Sequence, residues 1–254
     1  MDLDKVLEAA IEAARAAGEI ALKYYRGGFD VVVKPDQSPV TQADREAEQI
    51  IIRALSSAFP EHGFLGEEFG AQGNPEVRWI IDPIDGTRNF VRRIPHWAVL
   101  IALEERGEIT TGVALNPVSG ELYTARKGQG AFANGEQMRV SHVGTLERAL
   151  LVHASLKVLR RERQWEGFIR LVDATERQRG FGDYLDYVLV AEGKAELVVE
   201  ADLKPWDLAP MKLLIEEAGG RFTDFTGQPT IYSGTALATN GKLHARALAL
   251  LNGS

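Results

Sequence analysis

The chain has 254 residues, 45% of them hydrophobic, which is enough for one large domain or two modest ones with a substantial core. The formal net charge of -7 argues against a nucleic-acid backbone as the main partner. The absence of cysteine excludes disulfides, zinc–thiolate sites and thiol nucleophiles. The amino end shows no leader pattern and no apolar run has membrane-spanning length, so we expect a cytoplasmic protein without membrane contact.

Two helices separated by a short strand are predicted for the first part of the chain. Apolar residues at helical spacing over 4–25 predict a packing helix, which ends at a Gly-Gly pair. A strand at 31–33 and a polar loop containing Lys34 follow. The second helix begins near Thr41, and the spacing from Thr41 to Asp44 is typical of a capping box. Asp44 is therefore a candidate helix cap.

Two acidic pairs come next, each after a predicted strand. Glu67 and Glu68 follow a short apolar strand. The β-branched apolar run 79–81 leads directly to Asp82 and Asp85, and the intervening proline and following glycine allow a tight turn in which these two can converge. Converging carboxylates repel each other unless a cation lies between them, and oxygen-only ligands suit a hard ion such as Mg2+. The alternative is a turn whose aspartates bind only local N–H groups.

Two other positions are candidates for the same site. Gly86 and Thr87 offer backbone N–H groups at the start of a short helical turn, where a phosphate could bind. Far downstream, Asp207 follows Trp206 at the start of a long apolar helix. An aspartate at that position is most often a helix cap, which contributes about 0.5–2 kcal/mol without any chemistry.

The remaining elements follow two patterns, and we place a domain boundary between 1–142 and 143–254 where the pattern changes. Before the boundary, three strand-length runs and an Asn-Gly hairpin turn predict an antiparallel meander. After it, strands alternate with helices, as in a sheet covered by helices. The meander strands are predicted at 99–103, 109–115 and 121–126; the later strands at 149–152, 195–200, 221–225 and 237–238; and the later helices at 156–174, 182–190, 206–218 and 243–251.

Taken together, the motifs resemble the inositol monophosphatase superfamily of Mg2+-dependent phosphate monoesterases. The resemblance covers nearly the whole chain and lies in the Gly-Glu-Glu run at 66–68, the acidic turn at 82–87 and the Trp-Asp pair at 206–207. It implies an α/β fold with the layered αβαβα sandwich of that family and the site between the two parts of the chain. It also implies a homodimer and inhibition by lithium.

The resemblance assigns metal-binding roles to the acidic residues. It implies two or three Mg2+ ions, and in two-metal sites the ions lie roughly 3.5–4 Å apart. One ion would be bound by Glu67, Asp82 and the Ile84 carbonyl. A second would be bound by Asp82, Asp85 and Asp207, and Glu68 would lie near a third, weaker one.

Catalytic and phosphate-binding roles are implied in the same way. Thr87, with Asp44 behind it, would orient and deprotonate the attacking water alongside Glu67. Gly86 and Thr87 would bind the phosphate. The loop with Lys34 would approach and shield the site, although an ordinary solvated lysine is equally consistent with the sequence.

Two residues indicate which small phosphorylated metabolite is the substrate. Glu200 lies where inositol phosphatases of this family bind a substrate hydroxyl. The run containing Asp183 instead resembles the Gly-Asp-x-Tyr run of the histidinol-phosphate phosphatases, as does Leu-Lys-Pro-Trp-Asp at 203–207. An acidic Asp183 suits a cationic amine or imidazole, unless it only caps its helix. We expect histidinol phosphate, with inositol 1-phosphate or both substrates as the alternative.

A non-catalytic regulatory or partner-binding protein of the same fold is the competing hypothesis. The loss of an implied ligand would favour it, but every implied ligand is present. Fructose 1,6-bisphosphate is disfavoured because the sequence shows no extra basic cluster for a second phosphate. The five histidines are scattered without ligand spacing, so we do not place them in the site.

Overall fold

The computed structural model describes residues 3–28, 31–33 and 39–253. Lys34 and the loop around it lie outside the described residues. The helices are α1 (Leu3–Gly27), α2 (Gln42–Ala58), α3 (Thr87–Val91), α4 (Leu156–Leu159), α5 (Trp165–Ala174), α6 (Asp183–Ala191), α7 (Pro205–Glu217) and α8 (His244–Asn252). The strands are β1 (Val31–Val33), β2 (Pro39–Thr41), β3 (Gly63–Gly66), β4 (Gly70–Gln72), β5 (Val77–Asp85), β6 (Ala98–Glu105), β7 (Glu108–Leu115), β8 (Leu122–Arg126), β9 (Gly130–Ala133), β10 (Glu136–Gln137), β11 (Leu150–His153), β12 (Arg177–Arg179), β13 (Leu197–Ala201), β14 (Arg221–Thr223) and β15 (Thr235–Thr239).

Helices and two large sheets alternate in five layers. An eight-stranded sheet has the order β10-β9-β8-β7-β6-β5-β3-β4, and a five-stranded sheet has the order β12-β11-β13-β15-β14. Helices α1 and α2 pack on one face of the larger sheet, and α6 and α7 fill the space between the sheets. Helices α4, α5 and α8 cover the outer face of the smaller sheet. The predicted α/β class and αβαβα layering are confirmed.

Strand β5 carries the acidic turn and is buried on both faces. Ile80 faces the central core with α7, whereas Trp79 and Ile81 face α1 and α2 on the other side. All three side chains are fully buried. A strand covered on both faces has no solvent side for polar residues, which explains its continuous apolar run.

Most predicted elements form, and one is wrong. The meander, the hairpin turn and the alternating elements of the second part are all found. The single helix predicted over 156–174 is instead the pair α4 and α5, because residues 160–164 contain no apolar side chain whose burial would continue the helix. Strands β2 and β4, which pair with β1 and β3, are not predicted from the sequence. The boundary at 142/143 stays a prediction.

Among the described residues, every helix is too short or too polar to cross a membrane.

Candidate active site

The acidic turn lies at a bulge where β5 leaves the sheet. Asp82 pairs with Leu100 and Asp85 pairs with Ala98, so three steps along β5 correspond to two along β6. In a regular strand, residues three apart point to opposite faces. The extra residue reverses that relation, and carboxylate oxygens of Asp82 and Asp85 lie within 4.8 Å of each other. The bulge therefore produces the convergence on which a metal site depends.

Asp207 completes the cluster from the start of α7. One of its carboxylate oxygens lies within 4.8 Å of an oxygen from each of Asp82 and Asp85. Its Oδ2 also accepts a hydrogen bond at 2.7 Å from the N–H of Lys204, the residue that precedes α7. The Asp207 side chain can therefore bind an N–H group at the start of α7 and face the acidic cluster at the same time.

A cavity of about 290 Å³ lies over this cluster. It collects nine of the eleven site residues predicted from the sequence, and only Asp44 and Glu68 are absent from its lining as far as the described residues go. The nine are Glu67, Asp82, Ile84, Asp85, Gly86, Thr87, Asp183, Glu200 and Asp207.

The two remaining predicted residues lie just behind the lining. Asp44 is 1% exposed, and its Oδ1 is 3.5 Å from Thr87 Oγ1. The same hydroxyl is 3.1 Å from the Ile84 carbonyl oxygen. Glu68 places its Oε2 3.8 Å from Arg45 Nε. Asp44 is thus close enough to act through Thr87, whereas Glu68 faces the first turn of α2.

Burial and mutual repulsion raise the pKa values of the carboxyl groups in the acidic cluster. Burial, followed by the charge of Glu67, raises the pKa of Asp82 well above its usual range. Burial, followed by the charge of Asp183, does the same to the pKa of Asp85. The pKa of Asp207 rises to about 7 because of burial, opposed by its bond to the Lys204 N–H. A divalent cation would relieve this repulsion, and an all-oxygen donor set is the chemistry such an ion prefers.

One wall of the cavity is formed by the start of α6. Asp183 has a positive φ of 58°, and its Oδ2 accepts a hydrogen bond from Asn89 Nδ2 at 2.9 Å. Gly86 has a φ of 83°, and a Cβ there would lie 3.0 Å from the same Asp183 oxygen. Only glycine fits both the backbone angle and the close approach. Burial, opposed by the charge of Arg88, raises the pKa of Asp183 to about 6.

Glu200 lies deeper, beside two groups of α6. It is 1% exposed, and burial, followed by the charge of Asp186, raises its pKa well above the usual range. The Tyr187 hydroxyl and the Asp186 carboxylate are buried beside it, and the Tyr187 hydroxyl interacts with the Glu200 carboxyl group. Glu200 and Tyr187 line the cavity, where they can contact a polar group of a ligand, whereas Asp186 is fully buried and is not among the described lining residues.

Several residues near the site were not found from the sequence. Asp186 lies one helical turn after Asp183, a spacing that could have indicated a shared face. Glu48 lies one turn after Asp44, and burial raises its pKa to about 7. Arg88 and Asn89 belong to the acidic-turn motif itself, but their residue types alone indicate no role.

The layered fold and the carboxylate cluster define the class of metal-dependent phosphatases. A model of the inositol monophosphatase family matches residues 2–254, and the chain therefore belongs to this family. The family resemblance and the phosphatase class predicted from the sequence are confirmed.

Relatives within the family carry different names. The histidinol-phosphatase of Mycobacterium tuberculosis is 41% identical over 258 residues, which cover 99% of each chain. A protein named Nus factor SuhB from Pseudomonas aeruginosa is 39% identical over 237 residues, covering 89% of this chain and 87% of its own. The solved inositol monophosphatase of Anabaena (Nostoc) sp. PCC 7120 has a TM-score of 0.88 at 33% identity, covering 100% of this chain and 97% of its own. Overall similarity therefore leaves the substrate open.

Proposed function

We propose that the protein is a Mg2+-dependent phosphatase that hydrolyses histidinol phosphate, with inositol 1-phosphate as the alternative or additional substrate. The observation that carries the proposal is the Asp183 carboxylate, which is held by Asn89 at the wall of the cavity that contains the acidic cluster. An anchored carboxylate at that place is complementary to a cationic group on the substrate.

The acidic residues divide between two or three Mg2+ ions. Glu67, Asp82 and the Ile84 carbonyl would hold one ion, and Asp85 and Asp207 would share a second with Asp82. Glu68 would lie near a third. When bound, the ions supply an activated water and neutralise the charge that develops on the phosphate.

The neighbouring residues handle the water and the phosphate. Thr87, with Asp44 behind it, orients the water and takes part in removing its proton together with Glu67. The start of α3 at Gly86 and Thr87 binds the phosphate through backbone N–H groups. These groups lie side by side in the cavity, apart from the buried Asp44.

The charge of the cavity supports a cationic substrate. Seven acidic residues line it, and Arg88 is the only basic residue among the described lining residues. The four side-chain ligands of the first two ions would be balanced by the four positive charges of those ions. Of the other three, Asp202 is exposed to solvent and the raised pKa of Glu200 favours its neutral form, so the ionised Asp183 provides the excess of negative charge at this wall. An amine or imidazolium beside the phosphate is complementary to that excess, whereas a ring of neutral hydroxyls is not.

Asp183→Asn tests the assignment of substrate. Asparagine tolerates the positive φ and removes only the charge. We expect the KM for histidinol phosphate to rise at least tenfold, equivalent to about 1.4 kcal/mol, and that for inositol 1-phosphate to change by less than about threefold. Asp202→Asn is the matched control, because Asp202 lines the same cavity, also has a positive φ and is exposed to solvent.

Equal losses on both substrates would remove the argument for a cationic substrate. If wild-type protein with Mg2+ releases phosphate from neither substrate, a non-catalytic partner-binding protein becomes the better hypothesis. We further propose a cytoplasmic homodimer that binds neither nucleic acid nor membranes. Sedimentation equilibrium measures the oligomeric state directly.

A further inference from the structure

The loop that carries Glu67 is fixed to the sheet at its first residue. It connects β3 to β4, and β3 lies parallel to β5 with Gly66 opposite Ile81. The Glu67 N–H donates to the Ile81 carbonyl oxygen at 3.2 Å. Ile81 directly precedes Asp82, so this bond fixes the position of Glu67 relative to the acidic cluster. The N–H groups of the next two residues do not bind β5.

A buried carboxylate on α2 fixes those next two residues. Glu48 is 0% exposed; its Oε2 accepts the Glu68 N–H at 2.8 Å, and its Oε1 accepts the Phe69 N–H at 3.1 Å. Three consecutive N–H groups of the loop are therefore bound, one to Ile81 and two to Glu48. Burial of a carboxylate is costly unless it is hydrogen-bonded, so this arrangement needs both bonds.

Gly66 leaves room for the Glu48 carboxylate because it has no side chain. A Cβ at this position would collide with Glu48 Oε1. The backbone of β3 thus comes close enough to the carboxylate only because it has no side chain there. Glu48 is absent from the described lining of the cavity, so any effect it has on the site passes through the loop.

We propose that Glu48 is a positioning residue for metal binding: its carboxylate holds the 67–69 loop so that the Glu67 side chain faces Asp82. The inference rests on the proposed function, in which Glu67 is a ligand. A carboxylate can accept two N–H groups at once, whereas glutamine has one acceptor oxygen and would turn its own NH2 group toward the second N–H. Glu48→Gln therefore breaks the contact while preserving size.

The experiment compares two glutamates that make the same kind of contact. Glu217 accepts the N–H groups of Gly128 and Gly130 at 2.7 and 2.8 Å, in the turn before β9 and away from the cavity. The Mg2+ concentration giving half of the maximal rise in melting temperature is measured for Glu48→Gln, Glu217→Gln and wild type, with the Mg2+ dependence of phosphate release in parallel. We expect Glu48→Gln to raise both concentrations roughly 10–100-fold and Glu217→Gln to change them less than about twofold.

Gly66→Ala provides a second route to the same result. It displaces the carboxylate from the opposite side while Glu48 remains, and we expect a Mg2+ shift of similar size. If Glu48→Gln does not fold, the Mg2+ affinity of Gly66→Ala tests the role of Glu48 on its own. The kcat at saturating Mg2+ should stay within about threefold of wild type, because the groups that contact substrate are unchanged.

Two results would overturn the inference in different ways. Wild-type Mg2+ affinity in folded Glu48→Gln or Gly66→Ala, with a lower melting temperature only, would reduce Glu48 to a purely structural role and leave the phosphatase proposal standing. A wild-type protein that neither gains stability from Mg2+ nor releases phosphate would overturn the proposed function, and the role of Glu48 with it.

Discussion

Replacing Asp207 by asparagine should stabilise the metal-free protein and remove most of the stabilisation that Mg2+ provides. The pKa of Asp207 in the folded protein is raised from 3.8 to about 7, first by burial, with the charge of Glu67 adding to the shift. Because the folded-state pKa lies above the unfolded value, the folded protein binds the proton more tightly. Stability is therefore lost as the pH rises from about 4 to about 7. Asparagine carries no charge at any of these pH values and avoids that loss.

The size of the effect follows from the shift. Each pKa unit corresponds to about 1.4 kcal/mol, so ionised Asp207 costs the folded state at most about 4 kcal/mol at pH 8. Protonation of Asp82 or Asp85 relieves part of this cost, which leaves a gain of about 1–4 kcal/mol for Asp207→Asn. Asp207 is the third residue of α7, and the amide oxygen of asparagine can still accept the Lys204 N–H, so little is lost at the start of this helix. For a chain of this length, 1 kcal/mol corresponds to about 2–4 °C in Tm.

Melting temperatures of wild type and Asp207→Asn in EDTA and in Mg2+, at pH 5 and pH 8, measure both effects. We expect a higher Tm for the variant in EDTA, with the larger gain at pH 8, and a much smaller rise with Mg2+. Asp224→Asn is the control, because Asp224 is 5% exposed and accepts the N–H groups of Thr226 and Gln228 outside the cavity. A lower Tm for Asp207→Asn in EDTA at pH 8, or an undiminished Mg2+ shift, would refute the reasoning.

Two other substitutions separate the roles of neighbouring residues. Asn89→Ala removes the amide that donates to Asp183 Oδ2. It should raise the KM for histidinol phosphate about 3–10-fold with kcat within about twofold, as steady-state kinetics would show; a fall in kcat alone would contradict this. Thr87→Val keeps the shape of the side chain without its hydroxyl and should lower kcat about 10²–10⁴-fold at nearly unchanged Tm. Thr87→Ser should retain most activity, and equal losses in the two variants would argue against a role for the hydroxyl.

The sequence predicted which residues form the acidic cluster, but the geometry of the cluster depends on strand pairing. Asp82 and Asp85 are three residues apart, a spacing that places them on opposite faces of a regular strand. Their convergence requires the register shift between β5 and β6, and the proline and glycine of the turn are only permissive for it. Resemblance to the family located the cluster, whereas periodicity alone would have separated the two carboxylates.

Residues whose partners are distant in sequence could not be predicted in the same way. Glu48 looks like a solvated glutamate of α2, because the N–H groups that it accepts belong to residues 68 and 69 on a separate loop. Asp186 looks like an ordinary acidic residue in the first turn of α6, where such residues are favoured by the helix dipole. Only the packing of α6 between the sheets shows that its carboxylate is fully buried.

The three clustered carboxylates are fixed in the same way, and one of these contacts links the cluster to Asp183. Each uses one oxygen to accept a backbone N–H: Asp82 from Ile84 at 2.9 Å, Asp85 from Tyr184 at 2.7 Å and Asp207 from Lys204 at 2.7 Å. These bonds favour the ionised form and fix the orientation of each group. The N–H bound by Asp85 belongs to the peptide unit that joins Asp183 to Tyr184. A change at Asp183 that distorts this peptide would therefore disturb Asp85 as well. A substrate-specific loss in Asp183→Asn identifies a binding role only if the Mg2+ affinity of that variant is unchanged.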